Sequence, residues 1–143
     1  MSAVLLANAA ATLFMTGLIW LVQLVHYPLF AEVGEHEFGR FHAEHTDRIT
    51  PLVLPVMAVE LVTSLLLVLD RPVGVSAAGV WVGLALAAGL WLSTLLLQAP
   101  VHRGLGRGST PARVRRLVTL NWTRTAAWTA RSGLVLGMLA AVA

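Results

Sequence analysis

Long apolar stretches and short polar connections alternate along the chain. The apolar stretches are Val4–Val25, Leu52–Leu69, Val75–Leu97 and Leu117–Val142. Each is close to the roughly 20 residues that a helix needs to cross a bilayer. The pattern predicts an all-α fold, an integral-membrane four-helix bundle that forms a single domain over residues 1–143. We expect its membrane helices at about 4–27, 51–69, 75–99 and 115–142.

Composition supports a membrane location. Hydrophobic residues make up 57% of the 143 residues and charged residues only 12%, with a mean hydropathy of +0.78. A soluble domain has about 25% charged residues. Cysteine is absent, which excludes disulfides and thiolate metal ligands. The first stretch lacks a basic start and exceeds the ~7–15 apolar residues of a secretory signal, so we expect it to be retained as a helix.

The arginines outside the apolar stretches distinguish the two sides of the membrane. Only Arg71 lies in the second connection. The first and third connections contain Arg40, Arg48, Arg103, Arg107, Arg113, Arg115 and Arg116. Basic residues accumulate in cytoplasmic loops, so these two connections are predicted to be cytoplasmic and both termini non-cytoplasmic. This orientation explains the formal net charge of +3 without nucleic-acid binding, and membrane lipids are the expected partners.

Two glycine pairs lie four residues apart inside predicted helices. They are Gly79 with Gly83 and Gly133 with Gly137. This spacing lets helix backbones approach closely in lipid. A chain with four helices has internal partners for such contacts, so we expect both pairs to pack within the bundle. Assembly into a homo-oligomer stays open.

The connection after the first stretch has the pattern of an amphipathic helix. Phe38, His42, His45 and Ile49 recur at spacings of four, three and four, which places them on one helical face. The charged residues mostly point in other directions. The pattern predicts a short interfacial helix at about 35–49, with Thr50 capping a separate second membrane helix.

Four histidines are candidates for a metal site. His42 and His45 are three residues apart and therefore direct two imidazoles toward one point of a helix. His26 ends the first membrane helix and His102 ends the third, so an up-and-down bundle brings both to the same side. We predict that these four histidines bind a metal and leave His36 out. The alternative is that the four histidines only pack at the interface or contact lipid headgroups.

Imidazole ligands suit several metals. Iron or copper is expected here, and zinc is the further candidate. Glu44, Asp47 and Gln98 are candidates to support the histidines or to add a ligand. The alternative cofactor is haem, with His26 and His102 as axial ligands.

Ionisable residues inside apolar stretches are costly and usually mark a functional interior. Glu60, Arg124 and Arg131 are such residues. We predict Glu60 as a metal ligand or proton-transfer group; the alternative is an ion pair with Arg124 or Arg131 that fixes the helix register. A straight helix would separate Glu60 from His45 by ~22 Å, so the metal role requires a turn near Thr50.

The fourth stretch contributes the expected substrate contacts. Arg124 and Asn121 are predicted to orient the polar end of a lipophilic substrate. Trp122 and Trp128 are expected to supply an apolar wall, and Gln98 of the third stretch is a further substrate-binding candidate.

Five segments carry a resemblance to known proteins. They read QLVHYPLF from Gln23, FHAEHT from Phe41, PVMAVEL from Pro55, QAPVH from Gln98 and NWTRT from Asn121. The chain resembles small four-helix bacterial membrane proteins of uncharacterised function and, more distantly, the anthrone-oxygenase-like family. The second likeness depends on size, four helices and the Asn-Trp-x-Arg segment. It implies oxidation or oxygenation of a hydrophobic, often phenolic compound, and the first implies a bacterial inner membrane.

These observations lead to three hypotheses. The leading one is a metal-dependent membrane oxidoreductase or oxygenase that acts on a lipophilic substrate at the histidine end of the bundle. The second is a protein that binds haem or a metal without catalysis, and the third is a noncatalytic assembly subunit. Patterns of serine hydrolases, phosphate loops and dinucleotide-binding folds are missing from the sequence.

Overall fold

A computed structural model describes residues 3–106 and 110–143 of the chain. Every element in this part is helical, which confirms the all-α four-helix bundle. The helices are α1 (Ala3–Glu32), α2 (Glu35–Leu69), α3 (Ala77–Leu105) and α4 (Pro111–Ala140). The first three are long and apolar enough to cross a membrane. Arg107, which contributed to the predicted orientation, lies outside the described residues.

The helices pack in a ring, because α1 and α3 each contact both α2 and α4. Apolar side chains fill the ring in three layers. The layer near the termini contains Leu5, Leu67, Val75, Val80 and Met138. The middle layer contains Met15, Ile19, Met57, Leu90 and Trp128. The layer at the histidine end contains Val22, Tyr27, Phe30, Phe38, Leu105, Val114 and Leu117.

The predicted break before the second membrane helix is wrong. Residues Glu35–Leu69 form one continuous helix of 35 residues, and the predicted interfacial helix is its N-terminal part. Pro51 and Pro55 lie inside it. Each proline removes one backbone N–H from the helix but keeps a helical φ, so packing against neighbouring helices can hold the helix together. At 1.5 Å per residue α2 is about 52 Å long and exceeds the ~30 Å hydrocarbon layer.

The two glycine pairs have different environments. A Cβ at Gly79 or Gly83 would touch side chains of α4, including Met138, at 3.4–3.7 Å. The predicted internal packing is therefore confirmed for this pair. A Cβ at Gly133 or Gly137 would meet nothing within 4 Å, so the prediction is wrong for the second pair. That face of α4 points outward because its opposite face carries the buried polar side chains.

A buried ion pair joins the helices in the middle of the bundle. Arg131 Nε donates to Glu60 Oε1 at 2.7 Å, and the two side chains are 0% and 1% exposed. Glu60 also accepts hydrogen bonds from Thr12 Oγ1 at 2.8 Å and from Trp128 Nε1 at 3.1 Å. Of the alternatives for Glu60, the structure places it in an ion pair with Arg131.

The guanidinium of Arg131 extends this network to all four helices. It donates to Ser64 Oγ of α2 at 2.6 Å and to Asn8 Oδ1 of α1 at 3.3 Å. It also donates to the backbone carbonyl of Gly83 in α3. Each charge therefore has several hydrogen-bond partners, which is the condition under which a buried pair is tolerated.

Removal of the buried carboxylate is expected to destabilise the bundle strongly. Glu60→Ala leaves Arg131 charged and without an anionic partner, which costs about 3–5 kcal/mol. Glu44→Ala is the matched control, because Glu44 pairs with Arg48 at 3.4 Å on an exposed surface and its loss costs less than about 1 kcal/mol. Reversible unfolding in detergent mixtures measures both. Equal losses in the two variants would contradict the structural role of Glu60.

Candidate functional site

Two π-helical segments lie at the histidine end, one in α1 at Val22–His26 and one in α3 at Thr94–Gln98. A residue and then a proline, Pro28 or Pro100, follow each segment directly. Proline cannot donate a backbone hydrogen bond and clashes with the carbonyl four residues earlier. An i→i+5 turn before the proline accommodates both the missing N–H donor and the clash with the carbonyl. Such turns are frequent at functional sites. They shift the register of the residues that follow.

The four predicted histidines come together at this end. His26 Nε2 lies 2.7 Å from His45 Nδ1, and His42 Nε2 lies 3.0 Å from His102 Nδ1. The rings of His45 and His102 stack with centroids 5.8 Å apart, which places the two pairs side by side. Three helices therefore contribute to one imidazole cluster.

The cluster consists of hydrogen-bonded pairs. In the described residues, no group of three or more histidine, cysteine or acidic side chains is arranged to hold a metal ion. Coordination by three or four of these imidazoles requires at least one ring to turn. The metal site at His26, His42, His45 and His102 therefore stays a prediction. His36 is exposed, in agreement with its omission from the site.

A tyrosine that the sequence analysis did not include extends the cluster. Tyr27 is buried, and its hydroxyl lies 3.0 Å from His102 Nε2. The resulting chain runs from Tyr27 through both ring nitrogens of His102 to His42. A Cβ built on Gly106, the exposed residue that follows α3, would lie 3.9 Å from His42 Nδ1. The position of Tyr27 directly before Pro28 was the available sequence signal.

A cavity of about 540 Å³ lies beside the histidines. Its inner surface is mainly apolar and includes Met15, Ile19 and Val53. Leu54 of α2 and Leu95 of α3 line it and are exposed at the bundle surface. The cavity therefore opens sideways between α2 and α3, at membrane-facing positions.

Polar groups gather at one end of this cavity. They come from all four helices and include Tyr27, His42, His45, Gln98, His102 and Arg124, while the exposed Asp47 and Arg103 also line the cavity. Gln98 and Arg124 are 2% and 6% exposed, yet both polar atoms of the Gln98 amide and Nε of Arg124 find no hydrogen-bond partner within the described part of the chain. An unsatisfied buried polar group costs about 1–3 kcal/mol. These are the atoms that a ligand in the cavity would satisfy.

A second buried glutamine shows the contrasting, fully bonded case. Gln23 Oε1 accepts from Asn121 Nδ2 at 2.9 Å and from Thr125 Oγ1 at 3.4 Å, and its Nε2 donates to the carbonyl of Val118 at 3.2 Å. Asn121 in turn accepts from Arg124 Nη1 at 3.3 Å. Asn121 does not line the cavity and contacts Arg124 through this hydrogen bond.

Three other predicted site residues lie elsewhere. Glu60 bonds Arg131 in the middle of the bundle; because α2 is continuous, 15 residues or about 22 Å of helix separate it from His45. Trp128 donates to Glu60 and does not line the cavity. Trp122 is 45% exposed and packs edge-on against Trp20 at the outer surface. Neither tryptophan lines this cavity, whose apolar wall consists mainly of aliphatic side chains.

The geometry does not favour haem between His26 and His102. The ring of His45 packs against both, with centroids 4.6 Å from His26 and 5.8 Å from His102. Phe30 packs edge-on against His26 and His45 at 5.2 and 5.1 Å. A porphyrin between the two predicted ligands would have to displace both rings.

Comparisons with protein-family models, curated proteins and solved structures give no match to this chain. The likeness to anthrone-oxygenase-like proteins therefore stays a prediction that depends on the quoted segments. Function has to be inferred from the site itself.

The two buried glutamines are expected to respond oppositely to the same substitution. Gln98→Met removes unsatisfied polar atoms with little change in size and should stabilise the ligand-free protein by about 1–3 kcal/mol. Gln23→Met leaves Asn121 without its acceptor and should destabilise it by a similar amount. Unfolding of both variants in ligand-free detergent measures the effect. Destabilisation by both substitutions would mean that Gln98 has a structural partner.

Proposed function

We propose that this chain is an integral-membrane oxidoreductase whose substrate is a lipophilic compound with a phenol-type oxygen. The observation that carries the proposal is the cavity: apolar walls open toward the membrane, and unsatisfied polar atoms of Gln98 and Arg124 lie beside four histidines. Such a site suits a molecule with an apolar body and one polar end. Dioxygen is the proposed electron acceptor.

The polar end of the cavity suits a hydroxyl or carbonyl oxygen. The Gln98 amide offers both a donor and an acceptor, and Arg124 offers a charged donor. A phenol donates one hydrogen bond and accepts others, and a phenolate pairs with the guanidinium. Arg124 is held by Asn121, so its direction is fixed before a ligand arrives.

The imidazoles beside the cavity can accept the protons that the proposed reaction releases. Oxidation of a hydroquinone to a quinone releases two electrons and two protons. Each imidazole accepts a proton on one ring nitrogen and releases one from the other. His42 and His102 line the cavity with their ring nitrogens 3.0 Å apart, so a proton taken up by one ring can pass to the other when no metal lies between them.

Imidazole nitrogens are suitable ligands for a redox metal, and the distance between the nitrogens of one histidine pair also matches that of two ligands on one metal. Two nitrogen ligands of one metal at ~2.0–2.1 Å lie about 2.9–3.4 Å apart for angles of 90–109°. The pair His42 and His102 is at 3.0 Å, and the pair His26 and His45 is slightly closer at 2.7 Å. Iron or copper bound there would supply one-electron chemistry with dioxygen, and zinc would not.

The proposed setting is the inner membrane of a bacterium, with the histidine end cytoplasmic. Exposed arginines Arg40, Arg48 and Arg103 lie at that end, as the positive-inside rule requires. Gly133 and Gly137 face outward and offer a close-packing surface for a homo-oligomer.

Metal retention tests the histidine assignment. The double variant His42→Ala/His45→Ala should lose at least nine-tenths of the iron or copper bound by the parent protein, because each proposed pair loses one ligand. His36→Ala is the matched control, since His36 is exposed and outside the cluster. Elemental mass spectrometry of protein purified in mild detergent provides the measurement. Full metal content in a folded double variant would rule out this site.

Oxygen consumption tests the reaction. With iron- or copper-loaded protein in nanodiscs, a long-chain alkyl hydroquinone should be oxidised with one dioxygen consumed and one hydrogen peroxide formed per quinone. Thr50→Trp should lower the rate at least tenfold, because Thr50 is exposed and lines the cavity at its side opening. Thr129→Trp, on the outer surface of α4, is the control. Equal rates in both variants would place the reaction outside this cavity.

A further inference from the structure

Arg124 is a buried cation without an anionic partner. Its side chain is 6% exposed, and the ion pairs formed by the described residues leave it out. Its neighbours are neutral: the Asn121 amide oxygen, the Trp128 ring with its centroid 5.0 Å away, and the Tyr27 hydroxyl. A guanidinium remains charged in proteins, so this charge has no ion-pair partner among the residues that the structure describes.

The contrast with Arg131 shows why this matters. Arg131 is equally buried and has the Glu60 carboxylate at 2.7 Å. An intramembrane arginine without such a partner is costly and usually indicates a ligand or ion pathway. We therefore expect Arg124 to bind an anion that does not belong to the chain.

A groove connects Arg124 with the lipid on the side away from the main cavity. The groove has a volume of about 310 Å³ and lies between α3 and α4. Its lining is mainly apolar and includes three leucines and the small residues Ala85, Gly89 and Ala127. Arg124 lines both this groove and the main cavity, so it is accessible from two sides of α3.

The groove contains a second unsatisfied polar atom. Ser93 Oγ lines it, is inaccessible to solvent and has no partner among the residues that the structure describes. Together with Nε of Arg124 it provides two unpartnered donors, one of them charged, whereas the hydroxyl of Thr123 in the same lining already donates to the Leu120 carbonyl. Two donors match the two oxygens of a carboxylate.

We propose that the groove between α3 and α4 binds a fatty-acid-type lipid through its carboxylate, which is held by Arg124 and Ser93. A single negative charge compensates the single guanidinium. Arg124 lies seven residues, or about 10 Å, along α4 from Leu117. A free fatty acid can move to that depth, whereas the headgroup of a phospholipid is anchored at the membrane surface.

This site does not depend on the proposed oxidation. It is defined by Arg124, Ser93 and the lipid-facing groove, and it requires no metal. Both proposals use the unpartnered Nε of Arg124, so a carboxylate bound in the groove would compete for that donor with a ligand in the main cavity.

Binding of tritiated palmitate to the metal-free protein tests the proposal. The full chain is placed in nanodiscs of zwitterionic phosphatidylcholine, and binding is followed by scintillation proximity. Unlabelled palmitate should displace the label, whereas hexadecanol and methyl palmitate should compete at least tenfold more weakly, because they lack the negative charge.

Matched variants locate the site. Gly89→Leu should weaken palmitate binding at least tenfold, because Gly89 lines the groove and a Cβ there meets no neighbour within 4 Å, which leaves room for the larger side chain to fill the groove. Gly133→Leu is the control, since it introduces the same side chain at an open position on the outer face of α4. Arg124→Gln should abolish the preference for palmitate over hexadecanol.

Three outcomes would overturn the proposal. They are the absence of saturable palmitate binding, equal competition by hexadecanol, and unchanged binding in Gly89→Leu. Loss of binding in Thr50→Trp with normal binding in Gly89→Leu would place the carboxylate in the main cavity instead. Because the assay uses metal-free protein, failure of the oxidation assay leaves its result unaffected.

Discussion

The ion pair between Glu60 and Arg131 is the constraint on which the bundle depends. Neither charge is tolerable in hydrocarbon alone, and together they need further hydrogen bonds from their surroundings. Those bonds come from Thr12, Ser64 and the Gly83 carbonyl, which belong to three different helices. The helices can satisfy both charges in one register only. The polar fourth helix stays within the bundle because its buried charges face inward.

At the histidine end of the bundle, some buried polar side chains have hydrogen-bond partners for all their polar atoms and others do not. Gln23 and Asn121 satisfy each other between α1 and α4. On the opposite side, Gln98 and Arg124 retain unbonded atoms beside a cavity. The difference follows from packing. Gln23 and Asn121 lie in the contact between α1 and α4, whereas α2 and α3 leave an opening next to Gln98. A rigid centre and an unsatisfied end are the combination expected of a binding site on a stable scaffold.

The sequence predicted the helices and the meeting of the four histidines correctly, because both follow from hydrophobic length and from an up-and-down path through the membrane. It failed where local rules compete with packing. Pro51 suggested a helix break, yet tertiary contacts keep α2 continuous. Trp122 suggested an interior wall, but faces outward beside Trp20. Tyr27 gave no periodic signal, because a π-helical turn changes the register before it.

By itself, the sequence determined that this is an all-α membrane protein with its imidazoles at one end. Those conclusions depend on segment length, composition and connection order, which a linear chain contains in full. Only the tertiary structure decided that Glu60 pairs with Arg131 and that Arg124 has no anionic partner in the described part of the chain. Both arginines lie on one face of α4, seven residues apart. Their different environments depend on which side chains of other helices stand opposite, and that is a property of packing.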